Sequence, residues 1–204
     1  MKKSPLFSIV TLFSILLSSC SKDVEPKFEN DYDKSLETWE TFKRSSNNNY
    51  KFITQQNTFH YIGNVRTETI VKNGTVDSRK GYIYTFGDTE RPESGWTEDV
   101  IDGAVKKLGM KLDDLQLQEL YKDLIDSQWT EDQSNIGKNK AQPVYTLDLI
   151  YKLAKEEWLI PKKNMLVGFK TENQGMISLA GKSYTNLEDA PFVGIHIISI
   201  EKIN

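Results

Sequence analysis

The chain has 204 residues, with 26 Lys and Arg against 29 Asp and Glu, for a net charge of −3. A mildly acidic chain without a Lys/Arg block argues against nucleic acid as a partner, because phosphate contacts need clustered cations. A single Cys excludes an intrachain disulfide framework, while 38% hydrophobic residues, among them 4 Trp, 9 Tyr and 9 Phe, suit a packed core.

The first predicted element is an export signal. Lys2 and Lys3 precede the apolar run Pro5 to Leu17, and Ser18-Ser19 supplies small residues before Cys20. That run is shorter than the roughly 20 apolar residues a membrane-spanning helix needs. An ordinary cleaved signal with an incidental Cys is the plainer explanation. The stretch Leu17-Ser18-Ser19-Cys20, however, resembles the bacterial lipobox, and Cys20 is the only thiol in the chain. The resemblance implies a diacylglycerol on the Cys20 thiol, cleavage just before it and often acylation of the new amine. Two or three acyl chains, at about 0.8 kcal/mol per buried CH₂, anchor stably where one chain is marginal. Cleavage leaves 185 residues and a net charge of −5. The stretch Ser21-Lys22-Asp23-Val24-Glu25 loosely resembles the acidic export signals of surface lipoproteins but is interrupted by Lys22 and Val24. A solvated tether explains it equally well, so the membrane face stays open.

Residues 20–29 are expected to be this tether and 30–204 a single α+β domain. From Asp31, Tyr32, Leu36, Trp39 and Phe42 recur at helical spacing, up to the polar run Ser45 to Asn49. Tyr50 to Gln56 alternates as a half-buried strand does, and Val65 to Val71 is rich in Val, Thr and Ile. Asn73-Gly74 predicts a two-residue hairpin turn. The return strand passes through Val76, and Tyr82 to Phe86 is β-branched and aromatic. Gly87 to Gly95 is expected to be an acidic loop.

Thr97 is a predicted N-cap, followed by an apolar stripe of Val100, Ile101, Ala104, Val105 and Leu108 and a stop at Gly109. Leu117, Leu120, Tyr121, Leu124 and Ile125 predict a second helix of this block, which spans 96–128 as a helical insert. Trp129 to Gln142 is expected to be a polar loop. A third helix starts at Thr146, carries Leu147, Ile150, Leu153, Ala154 and Trp158 on one face, and is stopped by Pro161. Met165 to Phe169 and Met176 to Ala180 predict strands around Asn173-Gln174-Gly175. The last strand, Phe192 to Ile200, has apolar groups on both faces between 195 and 198, the pattern of a central, doubly covered strand. The halves 30–90 and 143–204 share element order without shared sequence, which leaves duplication and convergence both open.

Trp39, Tyr50-Lys51-Phe52, the strand ending in Asn73-Gly74, and Tyr145-Thr146-Leu147-Asp148-Leu149-Ile150 together resemble a family of small secreted bacterial lipoproteins. Their shared domain has no known function, so the resemblance implies a compartment and a fold but no chemistry. The family's Cys-x-Cys in the first strand is missing here, and the helical insert is extra.

Catalytic signatures are few. His60 and His196 are the only histidines, and without HExxH or similar spacing each is better explained as a packed, hydrogen-bonded strand residue. Alternation would group His196 with Phe192, Gly194, Ile198 and Ile200, and His60 with Thr58 and Gln56. G-x-S-x-G, G-x-G-x-x-G and P-loop motifs are lacking. Asp132 to Gly137 matches a calcium loop at its first, third and sixth positions, but Ile136 and Pro143 stand where ligands are needed. Asp88, Glu90, Glu93, Glu98, Asp99 and Asp102 are expected to solvate a loop and cap a helix rather than hold a metal. Tyr82 and Tyr84 share one strand face and Phe59 and Tyr61 another; such rows stack on sugars when exposed and form a core when covered.

The sequence thus predicts a lipoprotein attached to the outer membrane by acyl chains on Cys20, without cofactor, metal or catalytic residues. Its α+β domain is expected to bind an envelope protein or a glycan, and a secreted hydrolase is the remaining alternative.

Overall fold

The computed structural model describes residues 28–57, 63–139, 143–185 and 191–203. Cys20 with its flanking motif, the tether before residue 28, and the Thr58 to Tyr61 segment lie outside the described residues.

Helix α1 (Glu29–Ser45) starts two residues before the predicted Asp31. Glu29 and Asp31 sit in its positive first turn and Lys43 and Arg44 in its negative last turn, both favourable to the helix dipole. It leads into three antiparallel strands, β1 (Tyr50–Asn57), β2 (Asn64–Lys72) and β3 (Thr75–Ile83). Asn73 (φ 49°) and Gly74 (φ 77°) make the predicted turn between β2 and β3. The strand expected to reach Phe86 stops at Ile83. There the chain leaves the ladder and forms a two-stranded hairpin of its own, β4 (Thr85–Phe86) with β5 (Thr89–Glu90).

Helix α2 (Glu98–Lys107) is capped by Thr97, whose hydroxyl accepts the Val100 N–H. Helix α3 (Asp114–Tyr121) continues through a π-helical turn, Lys122–Asp126. The segment predicted as a polar loop from Trp129 opens instead with a short edge strand, β6 (Trp129–Glu131), paired with Arg79 to Gly81. Helix α4 (Leu147–Leu153) starts at the predicted cap, Thr146, and ends in a second π-helical turn, Ala154–Trp158. Strands β7 (Met165–Lys170), β8 (Leu179–Tyr184) and β9 (Val193–Lys202) complete the described elements. Met176 to Ser178 are buried but are not strand, which corrects the expected start of β8. The Ile177 N–H is donated to the Tyr151 hydroxyl and the Ser178 N–H to the Lys170 carbonyl, so this segment seals the core before pairing begins.

The main sheet runs β6-β3-β2-β1-β9-β8-β7, so the molecule is α+β with a seven-stranded antiparallel sheet. One face carries both cores. α1 and α4 cover Tyr50, Phe52, Val71, Ile195, Ile197 and Ile200 around the fully buried Trp39. Helices α2 and α3 pack with Phe86 and Trp96 on Val65 and Ile83, farther along the same face. Strand β9 is central as predicted, but only this face of it is fully buried. Its register against β1 slips between Ile53 and Thr54, which pair with Ser199 and Ile197 and leave Ile198 as the extra residue of a bulge. The bulge switches the alternation, so Ile195, Ile197 and Ile200 all point to the core.

The α-β-β-β halves share element order but not handedness. In both, the three strands advance across the sheet in the same direction and the helix lies on the same face. Yet β1 and β7, the first strand of each, run antiparallel, because three antiparallel pairings separate them. No rotation superposes two such units, so the shared element order is not the symmetry of a tandem repeat.

Candidate functional site

All four helices contribute to the two cores, and the opposite face of the sheet is lined by half-buried and exposed side chains. Alternation puts Lys51, Ile53 and Gln55 of β1, Arg66, Glu68 and Ile70 of β2, and Lys80 and Tyr82 of β3 on this open face. Gln55 pairs with Arg66 and Arg66 with Tyr82, giving a row across three strands. Continuing the register of Thr54 with Ile197 brings His196 of β9 beside Gln55.

Two guanidinium groups dominate the row. Arg66 donates from Nε to Gln55 Oε1 (3.0 Å), and its Cζ lies 3.2 Å from the centre of the Tyr84 ring. Arg91, just past β5, lies 4.9 Å from the centre of the Tyr82 ring and donates from Nη2 to Gln128 Oε1 (2.6 Å) and from Nη1 to the Pro92 carbonyl (3.3 Å). Its Nε is buried without a hydrogen-bond partner among the described residues. Gly95, at φ 97°, passes close beneath it; a Cβ there would sit 3.1 Å from Arg91 Nη2. Lys80 Nζ approaches Tyr82 to 5.4 Å. Among the described residues neither Arg66 nor Arg91 has a carboxylate within ion-pair distance, whereas Arg79 has Glu131 at 2.6 Å.

The electrostatics follow from these neighbours. The hydrogen bond that the Tyr84 hydroxyl donates to Glu90 (2.5 Å) is the main reason its pKa rises, with burial adding to it. Burial raises that of Tyr82, and the Glu68 charge adds to it, against the pull of Arg66, Arg91 and Lys51. Both phenols therefore stay protonated as donors at neutral pH. Burial lowers the pKa of His196, Glu172 opposes this, and Lys170 and Arg66 reinforce it, so the imidazole is neutral at pH 7.

The predicted site residues fall as follows. Cys20, His60, Phe59 and Tyr61 lie outside the described residues. His196 is half-buried at the end of the row, and the β9 bulge separates it from Ile200, with which simple alternation grouped it. Tyr82 and Tyr84 do sit together, but cations lie against their rings. The acidic group is dispersed by its partners: Glu98 and Asp99 occupy the first turn of α2, Asp102 accepts the Tyr121 hydroxyl, and Glu90 accepts that of Tyr84. The calcium-like stretch is a turn in which Asp132 accepts the Ser134 N–H and hydroxyl, bonds that lower its pKa. Among the described residues, no three His, Cys, Asp or Glu side chains converge as a metal site would require, and no helix is long and apolar enough to cross a membrane.

Sequence reasoning found the two tyrosines by their period but passed over Gln55, Arg66, Arg91 and Gln128. The cross-strand register and the approach of Gln128, 37 positions from Arg91, bring these together, and neither leaves a local sequence signal. No protein-family model matches the chain, and neither a search of curated proteins nor one of solved structures finds a match.

Proposed function

We propose that the chain is a lipoprotein anchored to the outer membrane through Cys20, and that its α+β domain is a non-enzymatic binding module working through the open sheet face. The observation that carries the anchor is the sequence Leu17-Ser18-Ser19-Cys20, which closes the 13-residue apolar run Pro5 to Leu17 and contains the only thiol of the chain. The resemblance of Trp39, Tyr50-Lys51-Phe52 and Tyr145 to Ile150 to small secreted lipoproteins supports the same compartment. The binding role is supported by the Gln55–Arg66–Tyr82 row, where two guanidinium groups are fixed by neutral partners and have no carboxylate partner among the described residues.

The anchor is tested by metabolic labelling with a palmitate analogue. The native chain is expected to take up label and partition with membranes, and Cys20→Ala to lose the label and leave an uncleaved or soluble form. Undiminished labelling of Cys20→Ala would refute the anchor.

A further inference from the structure

We infer that the open face selects an acidic polysaccharide, one whose sugar rings bear carboxylates, with Arg66 and Arg91 as its two acid-binding groups. This rests on the binding role proposed for that face and specifies its ligand.

The charge pattern comes first. In a net-acidic chain, carboxylates are available to pair any structural cation, and Arg79, Lys51, Lys72 and Lys43 are paired in this way. Arg66 and Arg91 are instead held by amide and carbonyl oxygens and by phenol rings. Such supports fix a planar fork in place without neutralising it, the arrangement suited to accepting a carboxylate from outside. The cations also lie where a neutral sugar would stack, over the tyrosine rings. An uncharged glycan would therefore have to displace them, whereas an acidic one uses them.

The position of the row then separates a glycan from an acidic polypeptide. A peptide adding to a sheet gains its affinity from main-chain hydrogen bonds at a free edge. The row crosses β1, β2 and β3, each of which has a strand on both sides. Recognition must therefore go through side chains. The groups present, the Gln55 and Gln128 amides, two phenol hydroxyls and a neutral imidazole, match a ligand rich in hydroxyls.

The test is isothermal titration calorimetry of the full-length purified chain with three probes: an oligogalacturonate, the neutral galactose oligomer of equal length, and poly-aspartate. Oligogalacturonate is expected to bind, and to bind more weakly at higher salt as screening predicts. The neutral oligomer is expected to give no heat. Arg66→Gln and Arg91→Gln are each expected to weaken binding about tenfold or more, since each removes a charge-assisted contact. Arg66→Lys, which keeps the charge but loses the planar fork, should fall between Arg66→Gln and the native chain. Circular dichroism of each variant establishes that it is folded. Equal or tighter binding of poly-aspartate would overturn the glycan assignment while leaving an acid-binding face. Absence of oligogalacturonate binding, or binding indifferent to both Gln variants, would overturn the assignment of Arg66 and Arg91. None of these outcomes bears on acylation of Cys20, which the palmitate label reads independently.

Discussion

Replacing Glu131 with Ala is expected to lower the unfolding free energy by about 3 to 5 kcal/mol at pH 7, because it strands a buried guanidinium. The Arg79 and Glu131 side chains are 1% and 2% exposed. Glu131 Oε2 accepts from Arg79 Nε (2.8 Å), Arg79 Nη2 (2.6 Å) and the Gly137 N–H (3.0 Å), while Oε1 accepts the Asn139 N–H (2.6 Å). Arg79 in turn donates to the Pro143 carbonyl and lies 5.2 Å from the Trp129 ring. One carboxylate thus pins edge strand β6 and the chain that follows it to the sheet. The paired replacement Arg79→Met with Glu131→Leu separates the charge effect from the packing effect. Removing both charges together is expected to cost far less than removing either alone. Equal losses in the single and double variants, measured by urea unfolding, would contradict this account.

The pH dependence has a definite sign. Burial raises the Glu131 pKa, but the N–H groups of Asn139 and Gly137 and the Arg79 guanidinium outweigh it, and the carboxyl titrates below its ordinary 4.5. A carboxylate with a depressed folded-state pKa adds stability that is fully present above the unfolded value and disappears as pH falls through the folded one. The stability difference between the native chain and Glu131→Ala should therefore be constant from pH 7 down to about 5 and shrink at lower pH. A difference that persisted undiminished at pH 3 would count against it.

Trp39→Ala is expected to cost a further unfolding free energy of about 3 to 5 kcal/mol, the range for emptying a large aromatic site in a core. Trp39 is fully buried, with Tyr50 edge-on at 5.1 Å, Phe42 at 6.0 Å and Tyr151 stacked at 6.2 Å. Its Nε1 donates to Asp148 Oδ1 (2.9 Å), an oxygen that Lys43 also reaches, so the residue ties α1 to the first turn of α4. Trp39→Phe keeps most of the apolar volume and loses the hydrogen bond, and should cost clearly less than Trp39→Ala. The measurement is chemical denaturation followed by far-ultraviolet circular dichroism. Equal costs for the two variants would place the stabilisation in the hydrogen bond rather than in packing.

Trp39 also illustrates what could be read from the chain before folding. Helical spacing identified it as a core residue, and period, turn and cap signals placed most of the helices and strands. Side-chain chemistry between distant segments was less visible. Leu36 packs against the core as its spacing predicts, but Ser35 beside it is buried as well, because the Tyr151 hydroxyl bonds both its side chain and its carbonyl. Edge strand β6 was hidden in a polar stretch because its burial depends on Arg79, 52 positions from Glu131. The β9 bulge has no local marker, yet it decides on which side His196 lies. The candidate surface was half legible for the same reason. Tyr82 and Tyr84 announce themselves by alternation, while the arginines held against them come from a neighbouring strand and a loop.

The anchored-lipoprotein reading is tested most directly by the intact mass of the chain purified from the membrane fraction, combined with sequencing of its N-terminal peptide. The account predicts a first residue of Cys20, carrying the mass of a diacylglycerol with or without a third acyl chain. A chain that retains the residues before Cys20, or one that begins elsewhere with an unmodified Cys20 thiol, would contradict it.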